Sequence, residues 1–123
     1  MTVWAIVAVA VGGGIGAGVR WSIDQSLWTP RGFPWAIMLV NVTGCFAMAL
    51  VHALVEPVAP FAAVAAAGFL GGYTTFSTVN ADTVRLWSAG RRGSAIGNTV
   101  GTLAACIAAA TLGYLVAGGP PAP

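Results

Sequence analysis

Four hydroxyl side chains crowd five consecutive positions, Thr74, Thr75, Ser77 and Thr78, with Phe76 among them and Gly71-Gly72 just upstream. A single Ser or Thr in a helix commonly bonds back to a carbonyl one turn earlier, so one hydroxyl says little. Four of them beside paired glycines say more. Adjacent glycines in an apolar stretch permit an unwound backbone. The carbonyls so freed survive at membrane depth only in a protein interior, along a cavity or around a cation. The alternative is a continuous helix with polar glue. Asn41, set in Met38-Leu39-Val40-Asn41-Val42-Thr43-Gly44, adds an amide with two donor hydrogens and one acceptor oxygen. It reads either as an interhelical hydrogen bond worth about 1 kcal/mol or as part of a polar path. The set is rich in donors, and no carboxylate lies deep in an apolar stretch. That chemistry suits a small anion, aided by the electropositive ring edge of Phe76.

These residues sit in a chain that is 58% hydrophobic and 7% charged, with a mean hydropathy of +0.86. A soluble domain carries about 25% charged residues, and five Arg, two Asp and one Glu without Lys cannot build a water-facing surface. A soluble enzyme, a nucleic-acid binder with a basic patch and a disordered chain are excluded on this count. The reading is an all-α membrane protein: a single transmembrane domain over residues 1–123 with four spans, about 3–21, 33–55, 60–84 and 94–116. Asp24-Gln25-Ser26 and Thr29-Pro30-Arg31-Gly32 connect the first two spans, and Glu56-Pro57 ends the second. The third is the interrupted one. Cys45 and Cys106 have neither CxxC nor metal spacing and read as packing residues.

Small-xxx-small pairs recur at Gly12/Gly16, Gly14/Gly18, Gly68/Gly72, Gly93/Gly97 and Gly97/Gly101. In lipid they let helix backbones approach closely. Most are expected inside the bundle, the rest against another subunit. The string Gly12-Gly13-Gly14-Ile15-Gly16-Ala17 fits a dinucleotide fingerprint on paper, but it lies within a span and lacks the strand that motif requires. Arg20 closes the first span as a snorkelling anchor. Asp82 and Arg85 are spaced for an i,i+3 pair. Asn98 and Thr102 share a helix face.

Gly68-Phe69-Leu70-Gly71-Gly72-Tyr73-Thr74-Thr75-Phe76-Ser77-Thr78 closely resembles the GFxGGxTTFST motif of the CrcB/Fluc fluoride channels. Gly12-Gly13-Gly14-Ile15-Gly16-Ala17-Gly18-Val19-Arg20-Trp21 resembles their first-span GGxxGxxxRW/Y, and Asn41-Val42-Thr43-Gly44-Cys45-Phe46 their second-span NxxGxF. The resemblance implies an antiparallel, dual-topology dimer in the cell membrane that passes fluoride through paired pores at the subunit interface. It places a pore asparagine on Asn41, a pore phenylalanine on Phe76, polar-track hydroxyls on Ser77 and Thr78, and a vestibule arginine on Arg20. It also implies a structural sodium ion at the backbone carbonyls of Gly71 and Thr74. Val79 stands where the family usually has a second Phe, Asp82 where it usually has Glu, and Asn98 where many members carry Tyr.

Arg20, Arg31, Arg85, Arg91 and Arg92 all map to one side of a four-span chain, while the loop between the second and third spans has only His52 and Glu56. The positive-inside rule then places both termini outside. A fixed orientation favours a heterodimer with a paralogous subunit over a homodimer. Two other functions compete. A small four-span cation or drug exporter should carry a buried acid in its first span, and Val3 to Val19 contain none. A non-conducting assembly subunit would not need Asn41, Phe76, Ser77 and Thr78. No nucleophile–base pair or metal cluster supports an enzyme.

Overall fold

A computed structural model describes residues 2–27 and 32–119. Within them the chain forms α1 (Val3–Leu27), α2 (Trp35–Leu50) continued by a π-helical turn (Val51–Val55), α3 (Pro60–Tyr73), α4 (Ser77–Ser88) and α5 (Arg92–Val116), with no strand among the described residues. Three helical stretches, Val3–Leu27, Trp35–Val55 and Arg92–Val116, are long and apolar enough to cross a membrane. α3 has 14 residues and α4 has 12, each short of the roughly 20 that a crossing needs.

The expected polar connection after the first span is corrected in part. Asp24, Gln25 and Ser26 are helical, and α1 runs on to Leu27. The hydroxyls of Ser22 and Ser26 donate to the carbonyls of Gly18 and Ser22, 2.9 and 2.8 Å away. Polar side chains do not themselves stop a helix; a backbone without N–H does, and the first proline is Pro30. Arg31, one of the charges used for orientation, lies outside the described residues.

The helices pack as two parallel pairs. In the first, α1 lies on α3 through glycines of both. A Cβ built on Gly68 would sit 2.7 Å from Val9 Cα, and one on Gly72 would overlap the Gly13 carbonyl. From the other side, a Cβ on Gly12 would sit 3.0 Å from the Ala65 oxygen and the Phe69 nitrogen, and one on Gly16 would overlap the Phe69 carbonyl. Numbers rise together along both helices, so they run in the same direction. In the second pair, Met38 of α2 reaches Gly101 of α5, and Phe46 and Ala49 reach Gly113. Gly14, Gly18, Gly93 and Gly97 meet nothing within 4 Å. The recurrent glycine pairs therefore divide: Gly12/Gly16 and Gly68/Gly72 make the α1–α3 contact, Gly14/Gly18 and Gly93/Gly97 face away from the fold, and Gly97/Gly101 is split, with Gly101 alone against α2.

α4 joins α5 through a turn that needs glycine at one position. Gly90 has φ +81°, and the amides of Gly90 and Arg91 donate back to the carbonyls of Trp87 and Leu86 at 3.1 and 2.9 Å. This is a Schellman ending, in which the left-handed residue is costly for any side chain with a Cβ. Arg92 then lies over the Trp87 ring, 4.8 Å from its centroid.

Gly16→Ala is expected to lower the stability of the detergent-solubilised protein by about 1–3 kcal/mol through backbone overlap. Gly18→Ala, on the same helix with open space around it, should leave the fold unchanged. Thermal unfolding followed by circular dichroism compares the two.

Candidate functional site

The site is built around the end of α3. Thr74 leaves the helix in extended geometry, with φ −84° and ψ 156°. Its N–H and its side-chain hydroxyl both donate to the Leu70 carbonyl at 2.9 Å. The next residue finds its partners on another helix. The Thr75 N–H donates to Asn41 Oδ1 at 2.8 Å, and the Thr75 carbonyl accepts from Asn41 Nδ2 at 3.0 Å. One carboxamide thus answers both peptide groups of Thr75 as a neighbouring strand would. Asn41 is 6% exposed, and its pairing satisfies backbone groups that have left the helical ladder.

Helical geometry resumes at Phe76, with φ −89° and ψ −38°. Thr75 Oγ1 accepts from the Thr78 N–H at 3.2 Å and contacts the hydroxyls of Ser77 and Thr78 at 3.2 and 3.1 Å. Thr75 therefore caps α4. The carbonyls of Gly71, Gly72, Tyr73 and Thr74 lose their helical donors across the break. In a continuous helix the Thr75 N–H would reach Gly71, and the Thr78 N–H would reach Thr74. Here those donors go to Asn41 and to Thr75 Oγ1. Gly71 and Thr74 are the two positions at which a carbonyl-held cation is expected, and backbone oxygens are suitable donors for a hard cation.

The motif spacings acquire physical reasons at this point. Gly44 lies three residues after Asn41, and a Cβ there would overlap the Thr74 methyl. Asn41 pairs with the interruption, and Gly44 makes room for it one turn away. Arg20 lies eight residues beyond Gly12, on the face that meets α3. Its Nε donates to the Gly72 carbonyl at 3.2 Å. The anchor reading of Arg20 is corrected accordingly: seven residues of helix follow it, and its guanidinium is turned onto the C-terminal end of α3, where a cation complements the helix dipole.

A groove of about 470 Å³ runs beside the interruption, and Asn41, Gly71, Thr74, Thr75 and Phe76 contribute to its wall. Phe76 is 81% exposed. Val79, in the place of a second aromatic ring, is buried and lies on the same wall. No carboxylate lines the groove among the described residues. Ser77 and Thr78 are not on its wall; they gather around Thr75. The structure thus brings Asn41, Phe76, Gly71 and Thr74 together and sets the two hydroxyls and Arg20 apart from them.

Thr75 was the residue that sequence reasoning left without a role. The available signal was local: a Thr three positions ahead of the third residue of a helix is an N-cap pattern. Asn98 likewise has a definite task. It is 1% exposed, and its Nδ2 donates to the Val79 carbonyl at 3.2 Å and to Thr83 Oγ1 at 3.0 Å, fastening α4 to α5. Thr102 shares its face and is buried, and its hydroxyl has no partner among the described residues. Asp82 and Arg85 form the i,i+3 pair at 3.7 Å.

Residues 7–114 match the family described as CrcB-like protein, Camphor Resistance (CrcB). The chain is similar to a Nocardia farcinica protein named fluoride-specific ion channel FluC 2, with 40% identity over 88% of this chain and 81% of that one. It is 37% identical to the Paracoccus denitrificans fluoride-specific ion channel FluC, over 90% of this chain and 92% of that one. It is 38% identical to the Leifsonia xyli protein named fluoride-specific ion channel FluC 1, over 100% of this chain and 97% of that one.

Thr75→Val should remove the cap of α4 while keeping the backbone bonds to Asn41, at a cost of about 1 kcal/mol. Asn41→Ala strands both peptide groups of Thr75 and should cost more, about 2 kcal/mol. The order of the two melting temperatures in detergent checks the assignment.

Proposed function

The chain belongs to the CrcB family, and from that premise we propose that it is a passive, fluoride-selective ion channel of the cell membrane that lowers cytoplasmic fluoride. The observation that carries this reading is the groove beside the interruption between α3 and α4. Its polar lining is amide, hydroxyl and carbonyl, without a carboxylate among the described residues, and the Phe76 ring stands exposed on its wall. An anion is repelled by carboxylates and attracted by N–H groups, hydroxyls and the electropositive edges of aromatic rings. Asn41 uses one of its two amide hydrogens on Thr75 and keeps the other. The names of the relatives, fluoride-specific ion channels, agree with this chemistry.

In this reading α3 and α4 are the two halves of one interrupted crossing, so the chain spans the membrane four times as a single domain. The site residues are Asn41 and Phe76 on the path, with Ser77 and Thr78 as a hydroxyl track and Arg20 at its vestibule. The carbonyls of Gly71 and Thr74 would hold a structural sodium ion, which supplies fixed positive charge near the centre of the assembly. The diversion of their helical donors supports that assignment. The working unit is an antiparallel dimer within membrane lipid, with paired pores. The charge distribution supports a heterodimer with a paralogous subunit. Asp24, Asp82 and Arg85 gather at one end of the bundle, and His52 and Glu56 pair at the other. A cation or drug exporter is disfavoured by the absence of any acid from Val3 to Val19.

Purified protein in liposomes, alone or with its paired subunit, should release fluoride far faster than chloride, measured with ion-selective electrodes. Equal chloride flux would end the assignment. Phe76→Ile should abolish most of the flux while leaving the assembly intact by size-exclusion chromatography, since it keeps apolar volume and removes the ring edge.

A reporter fused to the C-terminus should be active only outside the cell, because Arg31, Arg91 and Arg92 sit near span ends where basic charge sets orientation. Activity on both sides, together with conduction by the chain alone, would show a homodimer instead.

A further inference from the structure

The turn between α4 and α5 carries a basic and aromatic surface that the proposed ion path does not use. Gly90 turns the chain so that the Arg92 guanidinium lies over the Trp87 ring, 4.8 Å from its centroid. Arg91 Nη2 donates to Ser94 Oγ at 3.4 Å. Both Trp87 and Arg92 are exposed. Arg85 belongs to a different surface. Two residues along a helix turn the side chain by about 200°, and Arg85 pairs with Asp82 at 3.7 Å. Asp24, Asp82 and Arg85 line one small pocket of about 70 Å³, whereas the first turn of α5 holds no acidic residue. Two lengths put the α4–α5 turn at the membrane boundary. Arg92 opens a 25-residue helix long and apolar enough to cross. The 12 residues of α4 carry the chain about 18 Å from the interruption, against about 15 Å for half of the hydrocarbon core. Below the two guanidiniums the surface is apolar: Val84 lies one turn before Trp87, and Ile96 one turn after Arg92, 64% and 56% exposed.

We propose that Trp87, Arg91 and Arg92 form a headgroup site for an anionic phospholipid of the phosphatidylglycerol class. A guanidinium presents a planar fork of N–H donors that matches phosphate oxygens. Held over an indole ring, it still donates along its edges. Tryptophan belongs at the headgroup level, with its apolar body toward the acyl chains. Two adjacent cations at the membrane boundary favour a lipid of net negative charge. A zwitterionic headgroup gains less, because its ammonium finds no carboxylate in the first turn of α5, and a cation already stands over the Trp87 ring. The exposed Val84 and Ile96 side chains continue the site toward the acyl region, which a free phosphate would not need. This inference rests on the four-span reading and not on fluoride conduction, since none of the three residues lines the groove beside Asn41.

Titration of the purified full chain in nonionic detergent with phosphatidylglycerol or phosphatidylcholine, read by native mass spectrometry, tests the proposal. The wild type should retain phosphatidylglycerol in preference to phosphatidylcholine. Each Arg removed should weaken retention about fivefold, so the double variant Arg91→Gln/Arg92→Gln should bind about 25-fold more weakly. Arg92→Lys, which keeps the charge and loses the fork, should also bind more weakly than the wild type. Arg85→Gln should bind like the wild type. Size-exclusion chromatography confirms that each variant is folded. Equal retention of the two lipids by the wild type overturns the proposal, as does an unchanged preference in the double variant. A loss in Arg85→Gln as large as in the double variant overturns it too, because the effect would then be one of overall charge. Displacement of the lipid by an equal concentration of inorganic phosphate would make the site one for a free anion, and displacement by the paired subunit would make it a subunit contact; either result overturns the lipid assignment.

Discussion

The pairing of the Asn41 carboxamide with both peptide groups of Thr75 is the constraint on which the rest of the site depends. Backbone that leaves a helix within a membrane must find partners in the protein, since hydrocarbon offers none. The end of α3 shows how that demand is met. Leu70 is answered by Thr74, Gly72 by the Arg20 side chain and Thr75 by Asn41. Each partner comes from a different place: the same residue stretch, α1 and α2. The interruption is therefore fixed by three elements at once, and a rearrangement of any of them would strand a polar group.

The glycines serve the same end. Arg20 can reach Gly72 only because α1 lies almost in backbone contact with α3, and Gly12, Gly16, Gly68 and Gly72 permit that approach. Asn41 can reach Thr75 only because Gly44 leaves space for Thr74. Close packing in lipid gains dispersion energy and no hydrophobic driving force. Here it has a second consequence, which is to bring particular donors within reach of particular carbonyls.

Much of this was legible in the sequence, and the reasons differ by element. The apolar stretches were long and bounded by charge or proline, so the helices stood out. The hydroxyl cluster beside Gly71-Gly72 marked the place where α3 gives way to α4, and Asn41 stood out as an amide in an apolar run. What could not be read was direction. Asn41 was open between glue and path because spacing along one helix does not tell which carbonyl lies across from it. Arg20 looked like an anchor at a span end because Asp24 and Ser26 resembled a loop, whereas α1 continues through them. Thr75 was one hydroxyl among several until the dihedral angles of Phe76 made it the residue before a helix.

The outward face completes the physical picture. Of the most apolar stretch of each long helix, 11%, 28% and 17% is buried within the chain for Val3–Leu27, Trp35–Val55 and Arg92–Val116. Lipid can cover the aliphatic part of what is left at no cost. It cannot serve the groove beside Asn41 equally well, because free carbonyls and amide hydrogens there require a polar complement. Polar groups of Asn41, Thr74 and Thr75 stand in that groove beside apolar Val79 and Leu103, and its polar part calls for a complement that hydrocarbon does not supply. The proposed association and conduction would answer the same requirement that the Asn41–Thr75 pairing answers within the chain, the satisfaction of polar backbone where hydrocarbon supplies no partner.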